Sequence, residues 1–251
     1  MFLFKEPSND RDWSPDQAVL PWAEIAGDQV TIHNIRNCTY RSANDYDVAH
    51  YDRTFDLSRL RSVDLIVEPF AVWRGPAHTF LSFGFEGPDH LVISAEIRKV
   101  SGQHFSPWRG LFRAYEIMYV IGDERDLIQL RAIHRNDDVY LYPLRVTQEG
   151  ARQLFLDMLH KANRLRTQPE FYNTLTNNCA SSIVGHVNKV VRRKVPFSFR
   201  LLFPGYSDRL AYDLGWIDTA LPFGEARRRF HINEKVRRYA ESQDFSIKIR
   251  Q

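Results

Sequence analysis

Apolar and polar residues alternate along much of the first 145 residues, and this period of two predicts β-strands. The turn EGPD joins two of the predicted strands at a spacing that favours an antiparallel hairpin. A polar, proline-containing stretch before them predicts an N-terminal arm over residues 1–28. The predicted strands are QVTIHNIR at 29–36, SVDLIVEPF at 62–70, AHTFLSFGF at 77–85, HLVISAEIRK at 90–99, YEIMYVIG at 115–122 and VYLYPL at 139–144.

The period changes to that of a helix after Thr147, which can act as an N-cap. A first helix is predicted from the spacing of Leu154, Phe155, Met158, Ala162 and Leu165. A second helix is predicted to start near Cys179 and to end at Pro196. Strands followed by helices indicate an α+β fold. We therefore predict a core over residues 29–195 and a basic, aromatic extension over 196–251 that packs on it and contains a further basic helix, EARRRFHINEKVRRYAESQ.

The composition is that of a globular protein, with 43% hydrophobic residues and a net charge of only +3. That charge is too small to indicate nucleic-acid binding, and RRRF and VRRK stand in no nucleic-acid motif. The positive charge is concentrated after residue 188, where 14 Lys and Arg accompany 7 Asp and Glu. Such a basic region forms a solvated helical face or contacts an anionic membrane surface. Both interpretations stay open.

The sequence excludes several other classes. No apolar run approaches the 18–20 or so residues that span a bilayer, and MFLF is too short for a signal peptide. The chain as given is therefore expected to be soluble. Motifs for phosphate, dinucleotide and metal binding are absent, so we expect no cofactor and no metal. The two cysteines leave a Cys38–Cys179 disulfide open.

Cys179 is the candidate nucleophile, because Asn178 is a good N-cap and would place the thiol at the first position of its helix. There it faces unpaired backbone N–H groups and the positive end of the helix dipole. Both favour the thiolate, so we expect the thiol pKa to fall below about 8.5. A buried structural cysteine is the competing interpretation, and local sequence alone does not separate the two.

A thiolate also needs a base, and His78 is the best candidate, on the strand face shared with Phe80 and Ser82. His186 follows Cys179 by two turns of the same helix and cannot reach back to the thiol. Glu96, in an apolar strand, is the candidate that would orient the imidazole. The alternative is that Glu96 pairs with Arg98 or faces water.

Taken together, GPAHTFLSFGF, ISAEIRK, DVYLYPL and YNTLTNNCASSI resemble the bacterial Lnb N-terminal periplasmic domain family over nearly the whole chain. This family is similar to permuted papain-like thiol enzymes of the NlpC type. The resemblance implies a permuted papain-like fold, in which an antiparallel sheet packs against a helix with the cysteine at its N-terminus. It also implies Cys179 as nucleophile, His78 as base and Glu96 as orienting group.

The function that the resemblance implies is lipoprotein N-acylation through an acyl-thioester in the cell envelope. Backbone N–H groups at the start of the cysteine helix would hold the oxyanion, with Asn177 and Asn178 as capping or oxyanion residues. Tyr172 and Arg98 are candidates for substrate binding. The implied partners are acyl chains of phospholipids or lipoproteins, and the implied location is periplasmic or membrane-associated, often behind N-terminal membrane helices.

Two alternatives to the acyltransferase stay open at this stage. One is a cysteine peptidase or amidase that acts on the cell wall, and the other is a non-catalytic envelope scaffold. The first would need polar subsites, whereas an acyltransferase would need an apolar groove. The extension could line a lipid-facing surface or simply pack on the core, and the residues concerned are Trp216, Phe223, Phe230 and those at 227–229.

Overall fold

A computed structural model describes residues 6–71, 73–103, 106–191, 194–195 and 203–251, with the backbone alone at 107 and 108. The described strands are β1 (Trp22–Ala26), β2 (Gln29–Arg36), β3 (Thr39–Ser42), β4 (Asp45–Asp47), β5 (His50–Asp56), β6 (Leu60–Pro69), β7 (Ala77–Phe85), β8 (His90–Arg98), β9 (Glu116–Asp123) and β10 (Tyr140–Pro143). The described α-helices are α1 (Pro107–Gly110), α2 (Glu124–Gln129), α3 (Gln148–Thr167), α4 (Cys179–Val190), α5 (Ser207–Asp213), α6 (Phe223–Arg229), α7 (Asn233–Arg238) and α8 (Phe245–Lys248).

An eight-stranded sheet forms the centre, in the order β1-β2-β9-β8-β7-β6-β10, with β5 also paired to β2. Neighbouring strands in it are antiparallel, except that β2 and β9 are parallel. The pair β3–β4 is a separate hairpin. All six runs predicted as strands are strands, and their ends agree to within two residues. Strand β1 falls within residues 1–28, the predicted arm, and pairs with β2 in the sheet.

Alternation along β7 explains how the sheet acquires two packed faces. Leu81 and Phe83 point to the face that α3 and α4 cover, where Phe155 and Ile183 belong to the same core. Phe80 points to the other face. As predicted, Thr147 caps α3, since its side chain accepts a hydrogen bond from the N–H of Gly150. The mixed α and β class is therefore confirmed, while the permuted papain-like arrangement stays a prediction.

The C-terminal part covers the second face of the sheet, together with α2. Val236 and Phe245 are buried there. Arg250 pairs with two buried carboxylates, Asp64 at 2.8 Å and Glu124 at 2.5 Å. Charged groups of this kind are expensive to bury alone, so the C-terminus is fixed to the sheet by its own cation.

The predicted basic helix over residues 225–243 is instead two short helices, α6 and α7. The chain between them pairs with strand β10, since Leu141 N–H donates to Phe230 O at 2.9 Å and Ile232 N–H donates to Val139 O at 3.0 Å. Pairing with a sheet edge requires extended backbone, which interrupts the helix. Trp216 and Phe230 pack against the core, and the ring of Phe223 makes an edge-to-face contact with Tyr212. Since all three rings are half-buried in these contacts, they favour the alternative in which the extension packs on the core.

The sheet opens between β7 and β8. Strand β7 pairs with β6 along its whole length, and β8 pairs with β9 from Leu91 to Arg98. The two middle strands, however, pair only between residues 81–84 and 90–93. Residues 77–80 and 94–98 therefore diverge into a wedge. Helix α4 begins at this wedge, because the Cys179 sulfur lies 4.0 Å from the carbonyl oxygen of Ala77.

Candidate active site

Helix α4 begins with a capping box. The side chain of Asn178 accepts a hydrogen bond from the N–H of Ser181 at 2.8 Å, and the N–H of Asn178 donates to the hydroxyl of Ser181 at 2.8 Å. The amide nitrogen of Asn178 also donates to Thr174 O at 2.7 Å. The N–H groups of Cys179 and Ala180 have no acceptor among the described residues, as expected in a first helical turn. They can therefore bind an oxyanion.

The Cys179 sulfur lies in the wedge among hydrogen-bond donors. His78 and Thr79 lie close enough to its side chain to interact with it, and both lower its pKa. The hydroxyl of Thr79 is fully buried and has no hydrogen-bond partner in the described structure. Only 5% of Cys179 is exposed.

These contacts favour the thiolate. Burial works to raise the pKa of Cys179, but the hydrogen bond and the charge of His78 outweigh burial and lower the pKa. The opposite holds for the second cysteine, Cys38, because burial and the negative charge of Asp126 raise its pKa to about 11. Both cysteines are free thiols, so the disulfide alternative is wrong. Of the two, Cys179 is the one suited to nucleophilic attack.

His78 stands at the start of β7, where the open wedge lets its ring meet a thiol that approaches from the opposite face. Its Nε2 lies 2.7 Å from the hydroxyl of Ser94 and 3.5 Å from Glu96 Oε1. The hydroxyl of Ser94 in turn donates to Glu96 at 2.9 Å. Because Nε2 interacts with Ser94 and Glu96, Nδ1 is the ring nitrogen that remains available to interact with the thiol.

The charge state of His78 follows from the same contacts. Burial works to lower its pKa, but the hydrogen bonds with Cys179 and Glu96 outweigh burial and raise the pKa to about 9. Burial likewise works to raise the pKa of Glu96, yet the bond to His78 and the charge of Arg131 hold it well below its usual value. These shifts favour the combination of thiolate, imidazolium and carboxylate.

Arg131 fixes Glu96 from the far side of the wedge. This residue lies in a π-helical turn, Leu130–Arg135, directly after α2. Its guanidinium donates to Glu96 at 3.0 Å and to Glu68 at 2.5 Å, and it lies 4.7 Å from the ring centre of Phe80. Glu68 is on β6 and Glu96 is on β8, so a single guanidinium joins strands on the two sides of the opening.

Arg98 lies elsewhere. Its guanidinium donates to the carbonyl oxygens of Gln17 and Ala18 and to the side chain of Asn9, and it stacks over the ring of Trp13 at 4.2 Å. These donors fix the N-terminal segment against β8. The pairing of Glu96 with Arg98, which the sequence left open, is therefore wrong, and the structure does not bring Arg98 to the thiol as a substrate-binding group.

Tyr172 does lie at the site, where the charge of Cys179 contributes to raising its pKa, although burial contributes more. Asn177 has a structural position, because its side-chain amide donates to Phe171 O at 2.9 Å and its backbone pairs with Asn173. It closes the loop that precedes α4. His186 uses both ring nitrogens away from the thiol, on Tyr119 and Asp157, each at 2.6 Å.

Three side chains of the site were missed in the sequence: Thr79, Ser94 and Arg131. A signal existed for Ser94, since it precedes Glu96 by two residues and shares its strand face. Thr79 reads as an ordinary β-branched strand residue. Arg131 lies in a segment that no pattern assigned to the site. In the described part of the chain, no three His, Cys, Asp or Glu side chains come together as metal ligands.

The fold and this site together define a mixed α and β domain in which a cysteine at a helix N-terminus meets a histidine supported by a serine and a glutamate. The family model described as "Lnb N-terminal periplasmic domain" matches residues 46–205, nearly two thirds of the chain. The chain belongs to this family, which supports a periplasmic role related to the cell envelope. No curated protein and no solved structure matches it. Within the described residues, no helix is long and apolar enough to cross a membrane.

Proposed function

We propose that this protein transfers acyl groups through a thioester on Cys179. The observation that carries the proposal is the position of the Cys179 sulfur in the wedge, 4.0 Å from the carbonyl oxygen of Ala77 and beside His78, where the thiol pKa is lowered and the imidazole pKa is raised to about 9. A thiolate paired with an imidazolium is the resting state that a cysteine nucleophile requires. The resemblance to lipoprotein N-acyltransferases supplies the reaction class, with an acyl ester as donor and an amine as acceptor.

In the first half of the reaction, the thiolate attacks the carbonyl carbon of an ester. The π-electron pair of the carbonyl moves to its oxygen, which accepts hydrogen bonds from the N–H groups of Cys179 and Ala180. When the intermediate collapses, the bond to the leaving oxygen breaks. His78 gives its proton to that oxygen, so an alcohol leaves and a thioester stays on the enzyme.

In the second half, an amine attacks the thioester carbon. Neutral His78 takes the proton of the amine, the carbon–sulfur bond breaks and the thiolate returns. The hydrogen bonds from Nε2 to Ser94 and from Ser94 to Glu96 keep the ring oriented in both steps and stabilise its charged form. Water in place of the amine would release a free acid.

The exposed side chains beside the site favour an acyl chain over a peptide. The segments at 70–76, 106–114 and 173–178 contain no Asp or Glu. Phe70, Trp73, Phe112 and Leu175 are exposed in them. An apolar entrance of this kind fits a hydrocarbon chain, whereas a cell-wall peptide needs polar partners.

The test is intact-mass spectrometry after incubation with phosphatidylglycerol vesicles. We expect one added acyl group that hydroxylamine removes, present in Cys38→Ala protein and absent in Cys179→Ala protein. No adduct from lipid, together with labelling of Cys179 by a peptide-based thiol probe, would replace the acyltransferase with a peptidase or amidase. An unchanged cellular phenotype of Cys179→Ala would instead favour the scaffold.

A further inference from the structure

Four aromatic side chains stand out on the surface: Phe70, Trp73, Phe112 and Phe203, which are between 39% and 63% exposed. Every other Phe, Trp or Tyr side chain that the structure describes is buried or half-buried. Exposed apolar residues that occur singly are normal on a protein surface, but a group of them near one site is not. Their common location therefore needs an explanation.

All four lie in segments that meet around the thiol. The segment with Phe70 and Trp73 leads directly into Ala77, whose carbonyl contacts Cys179. Phe203 packs on Trp73, with ring centres 5.6 Å apart. Phe112 follows Gly110, whose carbonyl accepts a hydrogen bond from Thr174 N–H at 3.3 Å.

The loop that contains Thr174 precedes α4 and exposes a further apolar side chain, Leu175, at 46%. This residue lies only four positions before Cys179 in the chain. We call the five side chains the apolar rim: Phe70, Trp73, Phe112, Leu175 and Phe203.

The backbone around Trp73 is closely packed, because two glycines let the segments at 73–75 and 203–206 approach each other. The Trp73 ring lies over Gly75, where a Cβ atom would overlap it, and a Cβ atom at Gly205 would overlap the carbonyl of Arg74. Gly205 N–H donates to Gly75 O at 3.0 Å, and Arg74 Nε donates to Gly205 O at 2.9 Å. Arg74 is itself paired with the buried carboxylate of Asp208. The exposed rings therefore stand on a fixed backbone.

The charges beside the rim have one sign. The segments that carry it, at 70–76, 106–114, 173–178 and 203–206, contain three arginines and no Asp or Glu. Arg109 and Arg113 are exposed, next to Phe112 in the chain. A second copy of this chain would set these arginines against each other without a carboxylate between them. Apolar rings edged by cations instead match an anionic lipid surface.

We propose that the apolar rim inserts into the interface of an anionic phospholipid bilayer and holds the wedge of Cys179 against it. Insertion to about 5–10 Å, as interfacial segments achieve, brings a site to the level of the acyl esters. The purpose of this contact rests on the proposed function, since the bilayer would deliver the acyl donor. The binding itself does not, because it needs no reaction at Cys179.

The experiment is co-sedimentation of the full chain, as Cys179→Ala protein, with vesicles of phosphatidylcholine alone or mixed with phosphatidylglycerol. We expect binding to the mixed vesicles that weakens as salt is raised. Trp73→Ser with Phe112→Ser should weaken it by about tenfold or more, since two apolar side chains leave the membrane. Each of Arg109→Gln and Arg113→Gln should weaken it by about fivefold.

The matched controls are Leu221→Ser and Ile247→Ser, which remove apolar side chains that are 37% and 36% exposed outside the rim. They should leave binding unchanged. Equal weakening by these controls, or full binding by the rim variants, would overturn the proposal. So would a rim-dependent dimer in sedimentation velocity without vesicle binding. An acyl-thioester from a soluble short-chain ester tests the chemistry separately, so the two failures can be told apart.

Discussion

The hydroxyl oxygen of Ser94 lies 2.7 Å from Nε2 of His78, which is closer than the 3.5 Å between that nitrogen and Glu96. The carboxylate therefore orients the imidazole mainly through a hydroxyl that bonds to both. Such a relay holds the ring by a short neutral link and still places a negative charge near it. Several consequences can be measured.

Ser94→Ala should lower kcat/KM for a soluble ester by about tenfold to a hundredfold, because the ring of His78 loses its nearest partner. The loss should fall mainly on kcat, since Ser94 does not face the substrate. Ser94→Thr keeps the hydroxyl and should restore most of the activity. The matched control is Ser182→Ala, another serine with a buried hydroxyl, which lies on α4. Full activity of Ser94→Ala would show that Glu96 acts without the relay.

The pH dependence of kcat/KM should be bell-shaped. The active pair, thiolate with imidazolium, forms as pH rises through the lowered pKa of Cys179 and is lost as pH rises through about 9, where His78 releases its proton. Glu96→Gln removes a charge that raises the pKa of His78, so the alkaline limb should move to lower pH. An alkaline limb that stays in place would contradict this role of Glu96.

The two thiols should differ in reactivity. At pH 7 iodoacetamide should label Cys179 and leave Cys38 unmodified, because the pKa of Cys38 is raised to about 11 and that of Cys179 is lowered. His78→Ala should shift the labelling midpoint of Cys179 to higher pH without changing Cys38. Peptide mapping by mass spectrometry gives both rates in one sample. Faster labelling of Cys38 would contradict the assignment.

Asn178→Ala should reduce the free energy of unfolding by about 1 kcal/mol, the usual cost of losing an N-cap. Asn178→Asp can keep the cap bond to Ser181, but its charge beside the thiolate should raise the pKa of Cys179. Thr147→Asp also places an aspartate at a helix N-cap, that of α3, and should leave the pKa of Cys179 unchanged. Urea unfolding and iodoacetamide titration separate the two effects. Equal thiol pKa values in both aspartate variants would remove the electrostatic argument.

Arg131→Met should reduce the free energy of unfolding by about 3 kcal/mol, because it removes the shortest cation contact of Glu68 and of Glu96 and leaves Arg135 and His78, each at 3.5 Å, as their cationic partners. Adding Glu68→Gln should recover part of the loss, since one of the two charges is then gone. Urea denaturation at neutral pH measures both variants. A double variant no more stable than the single one would show that the cost lies in packing against Phe80.

Local pattern was enough to predict the strands and the start of α4 at its Asn178 cap, and to mark Cys179 and His78 as separate candidates. These depend on residues close in sequence, where alternation and capping act directly. The wedge could not be predicted in this way, because it depends on where the ladder between β7 and β8 stops. Alternation placed His78 on the face away from α4, and only the opening explains how it meets the thiol.

The remaining misses have the same physical origin. Arg98 and Arg131 are both arginines near Glu96, and sequence distance favoured the nearer one. The folded chain uses Arg98 to hold the N-terminal segment and brings Arg131 from 35 residues away. Which cation neutralises a buried carboxylate is decided by tertiary packing, so a period in the sequence does not show it.

The opening in the sheet also means that the site residues connect two halves of the sheet. Strands β6 and β7 on one side, and β8 and β9 on the other, share a short ladder at one end and are tied at the other end by side chains alone. Those ties are the bond from His78 to Ser94 and the guanidinium of Arg131 between Glu68 and Glu96. The side chains that shift the pKa of the thiol therefore also hold the two halves of the sheet together. A movement that separates the halves would also separate His78 from Ser94, the residue that orients its ring.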